Sequence, residues 1–231
     1  MGIVKVYLLT TFMICVQLCF YIQDSSQTDV NEHEYIDLGL SVNWATYNIG
    51  SNKPSEYGDY FAWGETYTKA SYNRMTYKFT GESLENKQDF TKYLGRKNWL
   101  NPNDVHLDSN DDAALQTWGK GWRIPTKEEI EELLEKCKWV NGENDGINGY
   151  WAISKINGNK IFFPFAGWLS ESRLCAANCL GIYQTSEIKK DHCDKLYILL
   201  IDRNPPKVHI YDFGNREEGY TIRAVRDKDS K

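Results

Sequence analysis

Gly121-Trp122-Arg123-Ile124-Pro125-Thr126-Lys127-Glu128-Glu129-Ile130-Glu131-Glu132-Leu133-Leu134 is the stretch on which the fold turns. Pro125 holds Ile124 in an extended backbone and suits the turn before a helix. Thr126 is a good N-cap, and Glu129 three residues later completes a capping box. Glu128, Glu129, Glu131 and Glu132 crowd the first turns, where the helix dipole favours negative charge. Ile130, Leu133, Leu134 and Cys137 recur at helical spacing and give one buried face, so the predicted helix runs to Lys138. Trp122 is expected to pack beneath it. Arg123, beside so many acids, reads as a structural ion-pair partner and not as a catalyst.

On the N-terminal side, Leu38, Leu40, Val42 and Trp44 alternate with polar residues, which predicts a strand within Tyr35–Ile49. Pro54 sets a turn over 51–56. Tyr57–Trp63 is aromatic, lies between Gly58 and Gly64, and reads as core. Residues 67–107 lack apolar periodicity and predict a long surface loop, with a turn of helix at Gln88–Leu94. The acidic run Asp108-Ser-Asn-Asp-Asp112 precedes a predicted short helix over Ala113–Trp118. Its acids could cap that helix or bind calcium. The spacing does not match an EF-hand loop, so capping is preferred.

On the C-terminal side, Asn141–Gly149 predicts a polar turn. Tyr150–Ser154 and Lys160–Phe165 predict paired strands joined through Asn157-Gly158. Trp168–Asn178 reads as a loop. Strands are predicted over Gly181–Ser186, Tyr197–Asp202, Val208–Phe213 and Tyr220–Arg226, with a turn at Gly214–Gly219. A helical centre followed by an antiparallel half is an α+β pattern.

Trp122-Arg-Ile-Pro-Thr-Lys-Glu-Glu129 resembles the Arg-Leu-Pro-Thr-x-x-Glu signature of the sulfatase-modifying-factor, or formylglycine-generating-enzyme, variant of the C-type lectin-like fold. It is more closely similar to the Fibrobacter succinogenes-type major paralogous domain family of exported Bacteroidetes proteins. Tyr35-Ile-Asp-Leu-Gly-Leu-Ser-Val-Asn-Trp44, Tyr57-Gly-Asp-Tyr-Phe-Ala-Trp-Gly-Glu-Thr66, Asp111-Asp-Ala-Ala114 with Trp118-Gly119, and Gly219-Tyr-Thr-Ile-Arg-Ala-Val225 extend the likeness over residues 35–226. The resemblance implies a loop-rich C-type lectin-like domain over 35–228 that presents ligands to its irregular loops. It implies a fold more firmly than a function.

Ile3–Ile22 is largely apolar with Lys5 near its start, so residues 1–22 read as a signal peptide or N-terminal anchor and 23–34 as a flexible tether. Cys19 raises lipidation as an alternative, although Leu18 stands where a small residue should precede a lipidated cysteine. The expected location is exported, at the cell surface or outer membrane or secreted. The membrane would be met only through the N-terminal segment. A net charge of −5 with no basic patch excludes nucleic acid as the natural partner.

An exported location permits disulfides, and Cys175, Cys179 and Cys193 are the candidates, with Cys137 a buried thiol. A zinc site from Cys175, Cys179, His192 and Cys193 fits no strong template, because adjacent residues on a strand point apart. The redox cysteine pair of formylglycine-generating enzymes is not carried over, since the motif around it is not recognisable. No metal and no cofactor is expected. There is no nucleophile elbow and no phosphate loop. The expectation is a non-enzymatic binding or adhesion module for a glycan or protein ligand. Its candidate residues on the Trp168–Cys179 and Glu187–Lys195 loops are Trp168, Glu171, Arg173, His192 and Asp194. The alternatives are a metal- or thiol-dependent enzyme and a structural, fimbria-associated component.

Overall fold

The structure is a computed structural model that describes residues 33–86, 89–95 and 104–228. The signal or anchor segment and residues 23–32 of the tether lie outside the described residues. His33 and Glu34 belong to the compact unit His33–Lys231. The His33 ring stacks on Trp118 at 4.1 Å, and the Glu34 carbonyl accepts from the Thr46 amide at 3.0 Å.

The chain is sheet-rich with few helices, 43% strand against 11% helix, which agrees with an α+β class. Strands β1 (Tyr35–Ile36), β2 (Val42–Ala45), β3 (Trp122–Arg123) and β12 (Val225–Asp227) form one sheet in the order β1-β2-β12-β3. The two ends of the domain therefore close on each other. Helix α1 spans Ala113–Trp118 and helix α2 spans Lys127–Lys136. Strands β4 (Cys137–Asn144), β5 (Ile147–Ser154) and β6 (Lys160–Pro164) form an antiparallel meander. A short hairpin pairs β7 (Trp168–Ser170) with β8 (Arg173–Cys175). Strands β9 (Leu180–Lys189), β10 (His192–Arg203) and β11 (Pro206–Asn215) form the third antiparallel sheet, with β10 central.

The decisive stretch folds largely as its chemistry requires. Thr126 Oγ1 accepts from the Glu129 amide at 3.2 Å, and Glu129 Oε2 accepts from the Thr126 amide at 2.9 Å. Both halves of the capping box are made. Arg123 forks onto Glu129 at 2.8 and 2.5 Å and reaches Asp227 at 2.7 Å. The helix stops earlier than predicted, at Lys136. Cys137 is already extended and pairs with Ser154, because the Trp139-Val140 pair favours a strand. Trp122 does not lie beneath α2. Successive residues of β3 point to opposite faces, so Arg123 meets the start of α2 while Trp122 packs edge-on against Trp118 at 5.0 Å.

Three expected loops are hairpins. Asn141–Gly149 is not a broad turn but the inner ends of β4 and β5, closed by Asp145-Gly146 with φ of +49° and +78°. Two positive φ values are what a two-residue hairpin turn prefers. Trp168–Asn178 contains β7 and β8. Glu187–Lys195 supplies the arms of β9 and β10, with His192 opposite Lys189.

The largest departure is in the described part of 67–107, which is not a surface loop. Tyr72, Tyr77, Phe79, Phe90 and Tyr93 are buried with Trp63, Ile188, Leu196 and Ile198 in a second core. Over its described part, Gln88–Leu94 is not helical: Phe90 bridges Thr80, and Tyr93 adopts φ +58°. A fully buried cation organises this segment. Arg216 Nε donates to Tyr77 Oη at 2.8 Å. Its Nη1 donates to the Tyr93 and Cys193 carbonyls at 3.1 and 3.0 Å, and Nη2 to the Lys92 carbonyl at 3.2 Å. The guanidinium lies 4.2 Å from the Phe90 ring and 5.1 Å from Trp63.

Candidate functional site

Four segments converge on a cleft of about 430 Å³ lined by Tyr72, Asn73, Arg74, Leu84, Glu85, Ser170, Glu171, Glu217 and Glu218. One wall is the tip of the β7–β8 hairpin. Ser170 pairs with Arg173, so Glu171 and Ser172 form a two-residue turn. Such turns favour Asn or Gly where φ is positive, yet Glu171 occupies φ +53°. Two backbone hydrogen bonds with Tyr72, at 2.8 and 2.9 Å, clamp it there. Its carboxylate Oε2 accepts from Ser71 Oγ at 3.2 Å and from Asn73 Nδ2 at 2.5 Å. Glu171 is nevertheless exposed. Glu171 thus holds a backbone conformation that its residue type disfavours.

Arg74 belongs to a second wall. Its Nη2 donates to the carbonyls of Asn86 at 2.8 Å and Asp89 at 2.5 Å, and its guanidinium lies 4.5 Å from the Phe90 ring. These contacts commit the cation to shaping the loop. The third wall follows β11. Glu218 Oε2 accepts from Tyr220 Oη at 2.7 Å, and that oxygen accepts from the Asn215 amide at 3.0 Å. Glu217 is half-buried, and burial pushes its carboxyl above the usual range.

Of the five residues expected to bind ligand, only Glu171 lines this cleft. Trp168 is half-buried and packs against the second core, so it is not an open stacking platform. Arg173 is exposed on β8, and His192 is exposed where β10 begins. Asp194 sits on β10 with its side chain 14% exposed, beside Lys195. Asn73, Ser170, Glu217 and Glu218 were not anticipated. The Glu171-Ser172 turn, flanked by Ser170 and Arg173 with Leu169 and Leu174 beyond, was the one local signal available, and it was hidden inside an expected loop.

The disulfide expectation is not realised: Cys137, Cys175, Cys179 and Cys193 form no disulfide. Cys193 is buried in the second core, whereas Cys179 is exposed. Cys175 Sγ donates to the Arg173 carbonyl at 3.6 Å. Burial pushes the Cys137 thiol up to about 11, leaving it protonated and inert. Among the described residues no cluster of three or more His, Cys, Asp or Glu side chains could hold a metal ion.

In the acidic run, Asp112 caps α1 through the Ala114 and Leu115 amides at 2.9 and 3.1 Å, as expected. It also accepts from the Ile124 amide at 2.9 Å, tying α1 to β3. Asp111 accepts from the ammonium groups of Lys78 and Lys92, each at 2.6 Å, and from Tyr93 Oη at 2.7 Å. Two lysines thus stand where a calcium reading would have put the cation. No family model, curated protein or solved structure matches the chain.

Proposed function

We propose that this chain is an exported, non-enzymatic binding module with a C-type lectin-like fold of the major paralogous type, and that a glycan binds in the cleft walled by Glu171, Asn73, Ser170 and Glu217-Glu218. The carrying observation is Glu171, held at positive φ by Tyr72 with its carboxylate oriented by Ser71 and Asn73. A carboxylate oriented in advance accepts two neighbouring hydroxyls without an ordering cost. Carboxylate, amide and hydroxyl groups along its walls suit a hydroxyl-rich ligand better than an apolar one. The sheet-rich architecture, the antiparallel pairing of the last strand β12 with β2, and the capped helix after Trp122-Arg123 support the lectin-like reading.

The test is a glycan-array screen followed by calorimetry on the best ligand. Hydrogen bonds to a charged group contribute about 1.5–3 kcal/mol each, so Glu171→Gln or Asn73→Ala should weaken binding roughly tenfold to a hundredfold. Equal affinity of both variants and the parent protein would remove the cleft from the reading. A thiol-dependent enzyme is the second reading, favoured by free Cys175 and Cys179. Alkylating both thiols should leave glycan binding unchanged; loss of binding would favour that alternative.

A further inference from the structure

Lys195 and Asn215 stand directly opposite one another on β10 and β11. Directly opposed residues of an antiparallel pair project from the same face with their side chains in reach. Lys195 Nζ donates a hydrogen bond to Asn215 Oδ1, so the amine sits beside the carboxamide carbon, Cγ. Asp194 Oδ2 is 3.6 Å from the same Nζ. The other oxygen of that carboxylate, Oδ1, is buried and has no hydrogen-bond partner. The Lys195 side chain is 22% exposed. The Asn215 backbone is fixed on both sides, its amide donating to Tyr220 Oη at 3.0 Å and its carbonyl accepting from the Glu218 amide at 3.2 Å.

We propose that Lys195 and Asn215 condense into an intramolecular amide cross-link joining β10 to β11. Asp194 takes one proton from the ammonium, and the freed Nζ adds to Asn215 Cγ. The Cγ–Nδ2 bond then breaks. The departing nitrogen takes the proton held by Asp194 and a second proton from Nζ, and leaves as ammonium. One C–N bond forms and one breaks. No oxidant, reductant or co-reactant is needed. Holding the reactants together in one geometry supplies the effective concentration that the same reaction lacks in free solution. Glu217, in the adjoining turn, lies close enough for the Lys195 charge to favour its ionised form, against the larger effect of burial. The cross-link would brace the turn that carries Glu217 and Glu218, but the chemistry does not depend on what the cleft binds.

The experiment is intact-mass spectrometry of the denatured full chain, followed by tryptic mapping. The expected result is a chain lighter by one ammonia and a branched peptide joining the Lys195 and Asn215 segments. Lys195→Arg keeps the charge but cannot condense, and should restore the full mass. Asp194→Asn should restore it or slow the loss, with an unfolding midpoint showing that the variant is folded. A parent chain of full mass would overturn the proposal. Ammonia loss that persists in Lys195→Arg, or a loss that maps to another asparagine, would overturn it equally.

Discussion

Removing the guanidinium of Arg216 tests whether the irregular segment over 67–95 is held by one buried cation. Four contacts would be lost, to Tyr77 Oη and to the carbonyls of Tyr93, Cys193 and Lys92. A buried polar group left without its partner costs about 1–3 kcal/mol, so the gross loss is roughly 4–12 kcal/mol. Only the parent chain strips water from this guanidinium on folding, and avoiding that desolvation in the methionine variant returns several kcal/mol. The net expectation for Arg216→Met is a destabilisation of about 3–5 kcal/mol, within the range for breaking a buried charged network. Methionine keeps much of the side-chain bulk, so a cavity is not the main cause. Domain stabilities are typically 5–15 kcal/mol, and the change should be a large fraction of the total. Urea unfolding followed by tryptophan fluorescence reads it, since Trp63 lies 5.1 Å from the guanidinium. Limited proteolysis should cut first between residues 67 and 95. A loss under about 1 kcal/mol would refute the reasoning, because the carbonyls would then have other partners.

Two further outcomes are expected. Thr126→Ala removes one half of the capping box and should cost about 1 kcal/mol in the same unfolding assay; an unchanged midpoint would mean that the helix start is held by the remaining contacts, Arg123 on Glu129 and Glu187 on the Lys127 amide. Burial raises the Glu217 carboxyl, so the folded chain holds a proton that the unfolded chain releases, and stability falls as pH rises from the ordinary glutamate value of about 4.3 through the raised one. Glu217→Gln should therefore stabilise the domain at neutral pH and converge with the parent in acid, whereas a pH-independent difference would locate the effect elsewhere.

What was legible in the sequence follows from the range of the forces concerned. The capping box, the Asp112 cap, the Arg123–Glu129 pair and the Asn157-Gly158 turn each act over a few residues, and each is present in the structure. The Asp145-Gly146 turn was equally local, but polar residues at 141–144 obscured the strand that carries them. Past Trp139 that strand turns one face outward, with Asn141 and Glu143 exposed. The 67–107 segment was misread for a different reason. Its aromatic residues have neither the 3.6 nor the 2.0 period, because each meets the core from an irregular backbone and not from one face of a helix or strand. The cleft was illegible as a whole. Its walls come from residues 72–74, 84–85, 170–171 and 217–218, and only the folded chain brings them together.

The two buried arginines show why periodicity fails where it does. Arg216 and Arg223 are 0% and 1% exposed. Arg223 Nη1 donates to the Ala45 and Thr46 carbonyls at 3.3 and 3.1 Å, its Nη2 to the Phe162 carbonyl at 2.9 Å, and its Nε to Asn48 Oδ1 at 2.8 Å. Burial lowers its pKa to about 10, which still leaves it charged at neutral pH. An arginine in a core is usually justified by a carboxylate, and that logic correctly read Arg123 as an ion-pair residue, whose partner the structure gives as Glu129. Here the fork is aimed at main-chain carbonyls instead. Those carbonyls belong to irregular segments, to strand ends and, for Phe162, to the edge strand β6, where ladder bonding stops, and a buried carbonyl must be paired somehow. A rigid fork with five donors can satisfy several at once, which lysine cannot match geometrically. Arg216 therefore does for residues 77–93 what a neighbouring strand would do, and Arg223 does the same where β2 meets β6. A segment can then be core without being regular, and its sequence shows aromatic residues without a period while the cation that orders it lies more than a hundred residues away.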